Sequence, residues 1–473
     1  GDDIYLTIDS NIELFVEQAL RENFIKYPSE WAVAVVADAK TGKILAASQK
    51  PSYDPNVLNI ENYLDITVSE PYEPGSIMKI YTYMAAMERG TYDGTKKFTS
   101  GKYVLEDGTV INDWNPYGWG DITYDQGFQA SSNVGVINIV NNFIDKNILK
   151  DYFKKAGFGE KTGITLANEQ SGKIGFTYES EVYNAAFGQG ITTTPMQHIQ
   201  ALTSIANDGV MLRPYIVDKI VNSDGEIIYK GEKTEVATIA SKKTTDYIRQ
   251  LMYDTVHSSW SAATATMYKV PGYDVIGKTG TAQLVNPYTG RYYTDNYNTI
   301  KSFVGMWPKD DPQVIIYISA KKITYGTSKP LYGTAKSIIT NVSKYLNILG
   351  TKNDNTIENV TIDSYLNKDI TTVTKGFDEK KISYLVLGNG SKVINQYPKK
   401  NYLLNSNEKV ILLTYDTSYK MPNLKNYSKK EAEEVCNMLN ISCSFKGSGY
   451  VYKQSINNGS NLNRTTKVEF EMK

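Results

Sequence analysis

Between Glu73 and Ile80 the chain reads EPGSIMKI, which sets a hydroxyl at Ser76 and an amine at Lys79 behind a Pro-Gly turn and among apolar neighbours. Positions three apart share a helix face, so Ser76 Oγ and Lys79 Nζ are expected within hydrogen-bonding reach. A serine needs a base to become a nucleophile, and a lysine serves only when it is neutral. Ile77, Ile80, Tyr81 and Met84 predict a buried helix, where desolvation favours the neutral amine. The chemistry so implied is acyl transfer, with Ser76 attacking and Lys79 taking its proton. Taken alone, Ser-x-x-Lys reads more readily as a helix cap followed by an exposed lysine.

Two further groups fit the same chemistry. Ser131-Ser132-Asn133 offers a second hydroxyl and a side-chain amide at the start of a helical stretch. Lys278-Thr279-Gly280-Thr281 lies in a strand pattern, and Gly280 is expected to permit close backbone approach by a substrate. The overlapping stretch Gly272 to Thr279 satisfies the phosphate-loop spacing G-x-x-x-x-G-K-[ST]. Val275 and Ile276 read as strand, however, and Gly280 would weaken a helix start, so nucleotide binding is not expected. The segment DWNPYGWG, from Asp113, is a candidate for the cleft lining.

Elements that could position these groups follow from the hydrophobic periodicity. Ile12, Phe15, Val16, Ala19 and Leu20 recur at helical spacing behind a capping candidate at Asp9 or Ser10. WAVAVVADAKTGKILAAS, from Trp31 to Ser48, reads as a hairpin. Strand patterns return only in YDVIGKTGTAQL, IKSFVGMWP and QVIIYISAKK, before a last helix near Tyr332 to Leu346. Helical patterns fill the region between. The prediction is an α/β fold in the loose, α+β sense: an antiparallel sheet, discontinuous in sequence, packed with helices. The polar run from Gly350, GTKNDNTIENVT, reads as a linker, and two short units of similar plan follow it.

With 473 residues, 41% hydrophobic and 22% charged, the chain is too long for one core and predicts two or three domains. Lys+Arg and Asp+Glu both number 51, so no net field points to nucleic acid or an anionic membrane surface. No apolar run is long enough to span a bilayer. Two histidines, His198 and His257, and two cysteines, Cys436 and Cys443, do not assemble a zinc cluster or a His-based triad. Both histidines lack a partner pattern and read as structural; the cysteines are either packed thiols or a disulfide. No metal and no cofactor is expected.

In the order Ser-x-x-Lys, Ser-x-Asn, Lys-Thr-Gly, the three groups form the signature of active-site serine penicillin-recognising enzymes. The chain closely resembles a class B penicillin-binding protein. GDDIYLTID, TGKILAASQKPSYDPN, YEPGSIMK, SSNVG, FGQGITTTPMQ, IANDGVMLRPYIV and SFVGMWP resemble family segments in family order, across nearly all of residues 1 to 350. Ile77 stands where many relatives have threonine. Residues 351–418 and 419–473 resemble PASTA domains, the second more clearly through MPNLKNYSKKEAEEV, the first with substantial drift.

The resemblance implies a transpeptidase domain at 1–350, a five-stranded antiparallel sheet and a helical subdomain. It implies a D,D-transpeptidase in which Ser76 is acylated by a stem peptide ending in D-Ala-D-Ala or by a β-lactam. Lys79 would be the base, Ser131 a proton relay, and Asn133 a clamp on the donor amide and on Lys79. Lys278, Thr279 and Thr281 would bind the terminal carboxylate, and the backbone amides of Ser76 and Thr281 would form an oxyanion hole. The implied ligands are peptidoglycan stem peptides and β-lactams, and the implied partners a membrane glycosyltransferase and other wall-synthesis proteins. Class B members carry a cytoplasmic tail, a membrane anchor and an N-terminal domain, so the chain is expected to be the ectodomain part of an anchored protein at the extracytoplasmic face. A serine β-lactamase, which needs a further base for deacylation, and a non-enzymatic β-lactam sensor or cell-wall-binding scaffold are the alternatives.

Overall fold

The protein's structure, a computed structural model, describes residues 1–53, 64–324, 329–348, 360–380, 382–400, 402–404, 408–447, 450–463 and 465–472. Residues 350–359 of the predicted linker and the Asp54–Asn56 end of the second quoted family segment lie outside them. The chain divides into two compact units, residues 1–348 and 349–473.

The elements that build the first unit's site are, in chain order, α1 (Ser10–Lys26), β1 (Trp31–Asp38), β2 (Ile44–Lys50), α2 (Lys79–Arg89), α3 (Tyr124–Gln129), α4 (Asn133–Asn142), α5 (Pro195–Ala206), α6 (Lys242–His257), β3 (Ile276–Gln283), β4 (Thr299–Trp307), β5 (Val314–Lys321) and α7 (Lys329–Tyr345). Five strands form one antiparallel sheet in the order β3-β4-β5-β1-β2. The late strands thus pair with the early hairpin through β5 and β1, as the discontinuous pattern predicts. Asp9 caps α1, accepting from the amides of Asn11 at 2.9 Å and Ile12 at 3.1 Å.

Alternation along β1 explains why its sequence is apolar without a break. Val33, Val35 and Ala37 face one core together with Ile315 and Tyr317 of β5 and side chains of α2, α4 and α5. Ala32, Ala34 and Val36 face a second core with Ile316 and Ile318, closed by Ile12, Val16 and Leu20 of α1 and by Ile338 and Val342 of α7. Both faces are covered, so neither parity of the strand can be polar. At β3, on the sheet's edge, the pattern changes to IGKTGTAQ, and Lys278 is enclosed there while Thr281 is exposed.

The second unit contains α8 (Ile370–Glu379), β6 (Tyr384–Leu387), β7 (Val393–Tyr397), β8 (Val410–Thr414), α9 (Lys429–Leu439), β9 (Ser442–Lys446), β10 (Val451–Gln454) and β11 (Lys467–Met472). Each half has the same plan. The last strand lies in the middle, parallel to the first and antiparallel to the second: β8 between β6 and β7, β11 between β9 and β10. The halves share a core, in which Leu387, Ile411 and Leu413 pack with Met421, Val435 and Phe470. Buried Glu431 joins them further, accepting from the amides of Lys409 at 2.9 Å and Ser428 at 2.7 Å. Cys436 and Cys443 are bonded as a disulfide between α9 and β9, which decides between the two readings of that pair. Among the described residues no helix is long and apolar enough to cross a membrane.

Candidate active site

Ser76 lies in a 3-10 turn, Gly75–Met78, and α2 begins only at Lys79. The turn is held against β3 by backbone contact. Gly75 has φ +61°, and a Cβ there would stand 2.5 Å from the carbonyl oxygen of Thr281; its amide donates to Gly188 O at 2.9 Å. A Cβ at Gly280 would meet Ser302 Oγ at 2.2 Å and Pro74 O at 3.0 Å. Gly280 thus lets β3 lie close against β4 and the nucleophile turn.

Lys79 is fully buried, and its Nζ donates to Ser131 O at 2.5 Å and to Asn133 Oδ1 at 2.8 Å, with Ser131 Oγ at 3.3 Å. The expected hydrogen bond to Ser76 is not formed, and the half-buried Ser76 hydroxyl has no partner among the described residues. The physical reason is satisfaction. A lysine enclosed from its first helical position must place its donors on acceptors, and the 131–133 turn supplies two. A neutral amine has two N–H groups, matched here by a carbonyl and an amide oxygen, and one lone pair left for a hydroxyl proton.

Lys278 enters from β3, also fully buried, donating to Ser131 Oγ at 2.8 Å and to Thr279 O at 3.1 Å. Two lysines thus converge on one hydroxyl. Burial lowers Lys79 from its ordinary value to about 7, opposed by the charge of Asp113. Burial also pushes Lys278 well down, and Lys79 adds to that effect. Thr279, half-buried, makes a 3.2 Å hydroxyl contact to Thr264, and Thr281 is exposed beyond it. Because β3 is an edge strand, an extended ligand could pair with it.

The 131–133 turn is held from outside by a residue that the sequence offered only as a candidate cleft lining. Asp113, 3% exposed, accepts from Ser132 Oγ at 2.9 and 3.0 Å, from the Val134 amide at 3.0 Å and from the Gly101 amide at 2.9 Å. Asn133 Nδ2 donates to Asn112 O at 2.9 Å, and Trp114 Nε1 to Ala130 O at 2.8 Å. Ser132 Oγ accepts from the Gly135 amide at 2.8 Å and so starts α4. Ser131 itself has φ +56°, a left-handed conformation uncommon outside glycine, which these bonds on both sides sustain.

Other residues take the quiet roles expected of them. His198 is buried against Thr193 Oγ1 at 2.9 Å and stacks on Tyr317, and burial lowers it to about 3. His257 Nε2 meets Val275 O at 3.0 Å, with its ring stacked on Tyr253. Lys278 and Thr279 sit inside one continuous strand and open no helix, which removes the phosphate-loop reading. Among the described residues no cluster of three or more His, Cys, Asp or Glu is placed to hold a metal ion.

Comparison with known proteins joins this geometry to a family. The chain matches the penicillin binding protein transpeptidase domain over residues 32–340 and the PASTA domain over residues 419–473. Stage V sporulation protein D of Bacillus subtilis is 32% identical over 67% of this chain and 49% of its own length. Penicillin-binding protein PbpB of Mycolicibacterium smegmatis is also 32% identical, over 67% of this chain and 50% of its own. The chain spans about half the length of the curated relatives it matches. Among solved structures, penicillin-binding protein 3 of Mycobacterium tuberculosis aligns with a TM-score of 0.68 at 27% identity, over 74% of this chain and 81% of that one. It has also been solved complexed with aztreonam and with ampicillin. Penicillin-binding protein 2X of Streptococcus thermophilus shares the fold over 100% of this chain and 72% of its own, with a TM-score of 0.65 at 24% identity. Since the match spans the five-stranded sheet and all three groups around Ser131, this chain belongs to the penicillin-binding protein transpeptidases.

Proposed function

We propose that this chain is the catalytic part of a peptidoglycan D,D-transpeptidase, acting through an acyl-enzyme at Ser76 that β-lactams also form. The observation that carries the reading is the convergence of two buried lysines on Ser131 beside an unengaged Ser76. Enclosing two amines without a carboxylate in bonding contact costs stability, and such groups cluster at reactive sites.

Lys79, lowered to about 7, takes the Ser76 proton on its lone pair as Ser76 Oγ bonds to the carbonyl carbon between the two terminal D-Ala residues. The oxyanion is held by the amides of Ser76 and Thr281, a placement supported by the contact of Gly75 with the Thr281 backbone. The C–N bond then breaks, and the leaving amine takes its proton from Ser131 Oγ, which Lys79 replenishes. An acceptor amine reverses these steps, losing a proton to the same relay as it displaces Ser76. Thr279, Thr281 and Lys278 receive the terminal carboxylate; that negative charge raises Lys278 into its protonated form, and a charged Lys278 keeps Lys79 neutral.

The site works at the extracytoplasmic face of the membrane, on stem peptides supplied by a partner glycosyltransferase. Residues 351–418 form a first PASTA-like domain and 419–473 a second, a reading supported by their common strand order. The test is turnover of a donor pentapeptide ending in D-Ala-D-Ala with an acceptor amine present. Release of D-Ala with a new donor–acceptor amide is expected. Hydrolysed β-lactam accumulating without peptide transfer would make the chain a β-lactamase, and a stable adduct without peptide turnover would make it a sensor.

A further inference from the structure

Asp113 is a buried carboxylate that the proposed chemical steps do not use. It lies 18 residues before Ser131 in sequence, yet it is bonded to the turn that carries Ser131 and Asn133. Its two oxygens take the Ser132 hydroxyl and the amides of Val134 and Gly101, and its own amide returns a bond to Gly101 O at 2.8 Å. A carboxylate fixed by donors on every side cannot swing away. Through Ser132 it sets the position of Ser131 O and Asn133 Oδ1, the acceptors that hold Lys79.

We propose that Asp113 is a positioning residue of the transpeptidase reaction, holding the 131–133 turn in register with Lys79 and placing a negative charge behind that turn, on the side of Lys79. The groups around Lys79 are Ser131 and Asn133 from the turn, Lys278 from β3 through Ser131 Oγ, and Asp113 behind the turn; Tyr83 of α2 also feels the Asp113 charge. Of these, Asp113 alone opposes the loss of the Lys79 proton. Without it the base would be neutral over a wider range but too weak to draw the Ser76 proton. Asp113 therefore sets both where Lys79 sits and how basic it is.

This inference rests on Ser76 acylation, and the experiment separates the two. The rate of covalent adduct formation with benzylpenicillin is followed by intact-protein mass for the wild-type chain, Asp113→Asn and Ser132→Ala, from about pH 5 to about pH 10. In Asp113→Asn the acid limb of the profile is expected to move to lower pH, with the plateau rate falling about tenfold or more. Ser132→Ala keeps the charge and loses the tether, so its plateau falls while its limb stays. An Asp113→Asn limb at the wild-type position, or a wild-type plateau, overturns the proposal. If Asp113→Asn does not fold, Asp113→Glu is read instead: a limb kept at the wild-type position with a lowered plateau supports the proposal, and a moved limb or an unchanged plateau overturns it. No adduct on the wild-type chain would refute the acyl-enzyme reading itself.

Discussion

Lys79 and Lys278 in the first unit are fully buried and meet at Ser131, whereas Lys446 and Lys453 in the second keep 69% and 66% of their side chains exposed and end on Glu469 and Glu471. The same residue type is driven in opposite directions. Desolvation lowers Lys79 to about 7, while the bond to Glu471 raises Lys453 above its ordinary value. In the second unit charge is left in water, and folding loses little by it. Lys79 and Lys278 are enclosed without a counterion in bonding contact, a cost that the proposed use of a neutral amine would explain. Lys79 and Lys453 thus differ in burial and in the direction of their shift, the contrast on which the proposed reactive site rests.

Replacing Lys79 should produce the largest change. Lys79→Arg introduces a guanidinium that stays protonated, so acylation by a penicillin should fall by about a thousandfold or more, read as the rate of adduct formation. Retention of the wild-type rate would remove Lys79 as the base. In the wild type, Lys79 is protonated and inactive below about 7 and neutral above it, so the rate should rise with pH through that value and then level off. A flat profile from acid to neutral pH would contradict the assignment.

Ser131→Ala comes next. It removes the hydroxyl shared by both lysines, leaving Lys278 one acceptor short, and should slow acylation by about a hundredfold while the Ser76 adduct, once formed, keeps its mass. A loss under about twofold would mean that the leaving-group proton bypasses Ser131.

A change in the second unit should move stability and leave chemistry alone. Glu431→Ala strips a buried carboxylate from the amides of Lys409 and Ser428, and should destabilise that unit by about 2 kcal/mol in denaturant unfolding, with unchanged acylation. A parallel fall in acylation would show that the units are not independent. Smallest of all, Lys453→Ala should leave both the unfolding midpoint and the acylation rate within error, since its partner is at the surface. A clear drop in midpoint would place that exposed pair among the unit's determinants.

Much of the site is legible in sequence because its chemistry is carried by short local groups. Ser76 with Lys79, Ser131 with Asn133, and Lys278 with Thr279 each lie within four residues, and the fold brings the three stretches together. What escapes a local reading is which partner each side chain chooses. Residue spacing puts Lys79 opposite Ser76, but burial makes it seek the nearest strong acceptors, which belong to a turn more than fifty residues away. Asp113 is hidden for the same reason: its partners at Gly101, Ser132 and Val134 leave no pattern around it. The close contact of Gly280 with Pro74 and Ser302 is likewise hidden, because neither partner is near it in sequence. The sheet is easier, since a strand buried on both faces announces itself, as WAVAVVAD does. The common core of the two C-terminal halves depends on contacts between Ile411 and Leu413 on one side and Met421 and Val435 on the other, which no repeat in the sequence spells out.

Ser76 is proposed here as the acylated nucleophile of a penicillin-binding transpeptidase. The most direct test of that assignment is intact-protein mass spectrometry of the wild-type chain and of Ser76→Ala after addition of a penicillin, followed over hours. A single adduct that persists is expected on the wild type, and none on Ser76→Ala. An adduct of equal mass on Ser76→Ala, or no adduct on either protein, would contradict it.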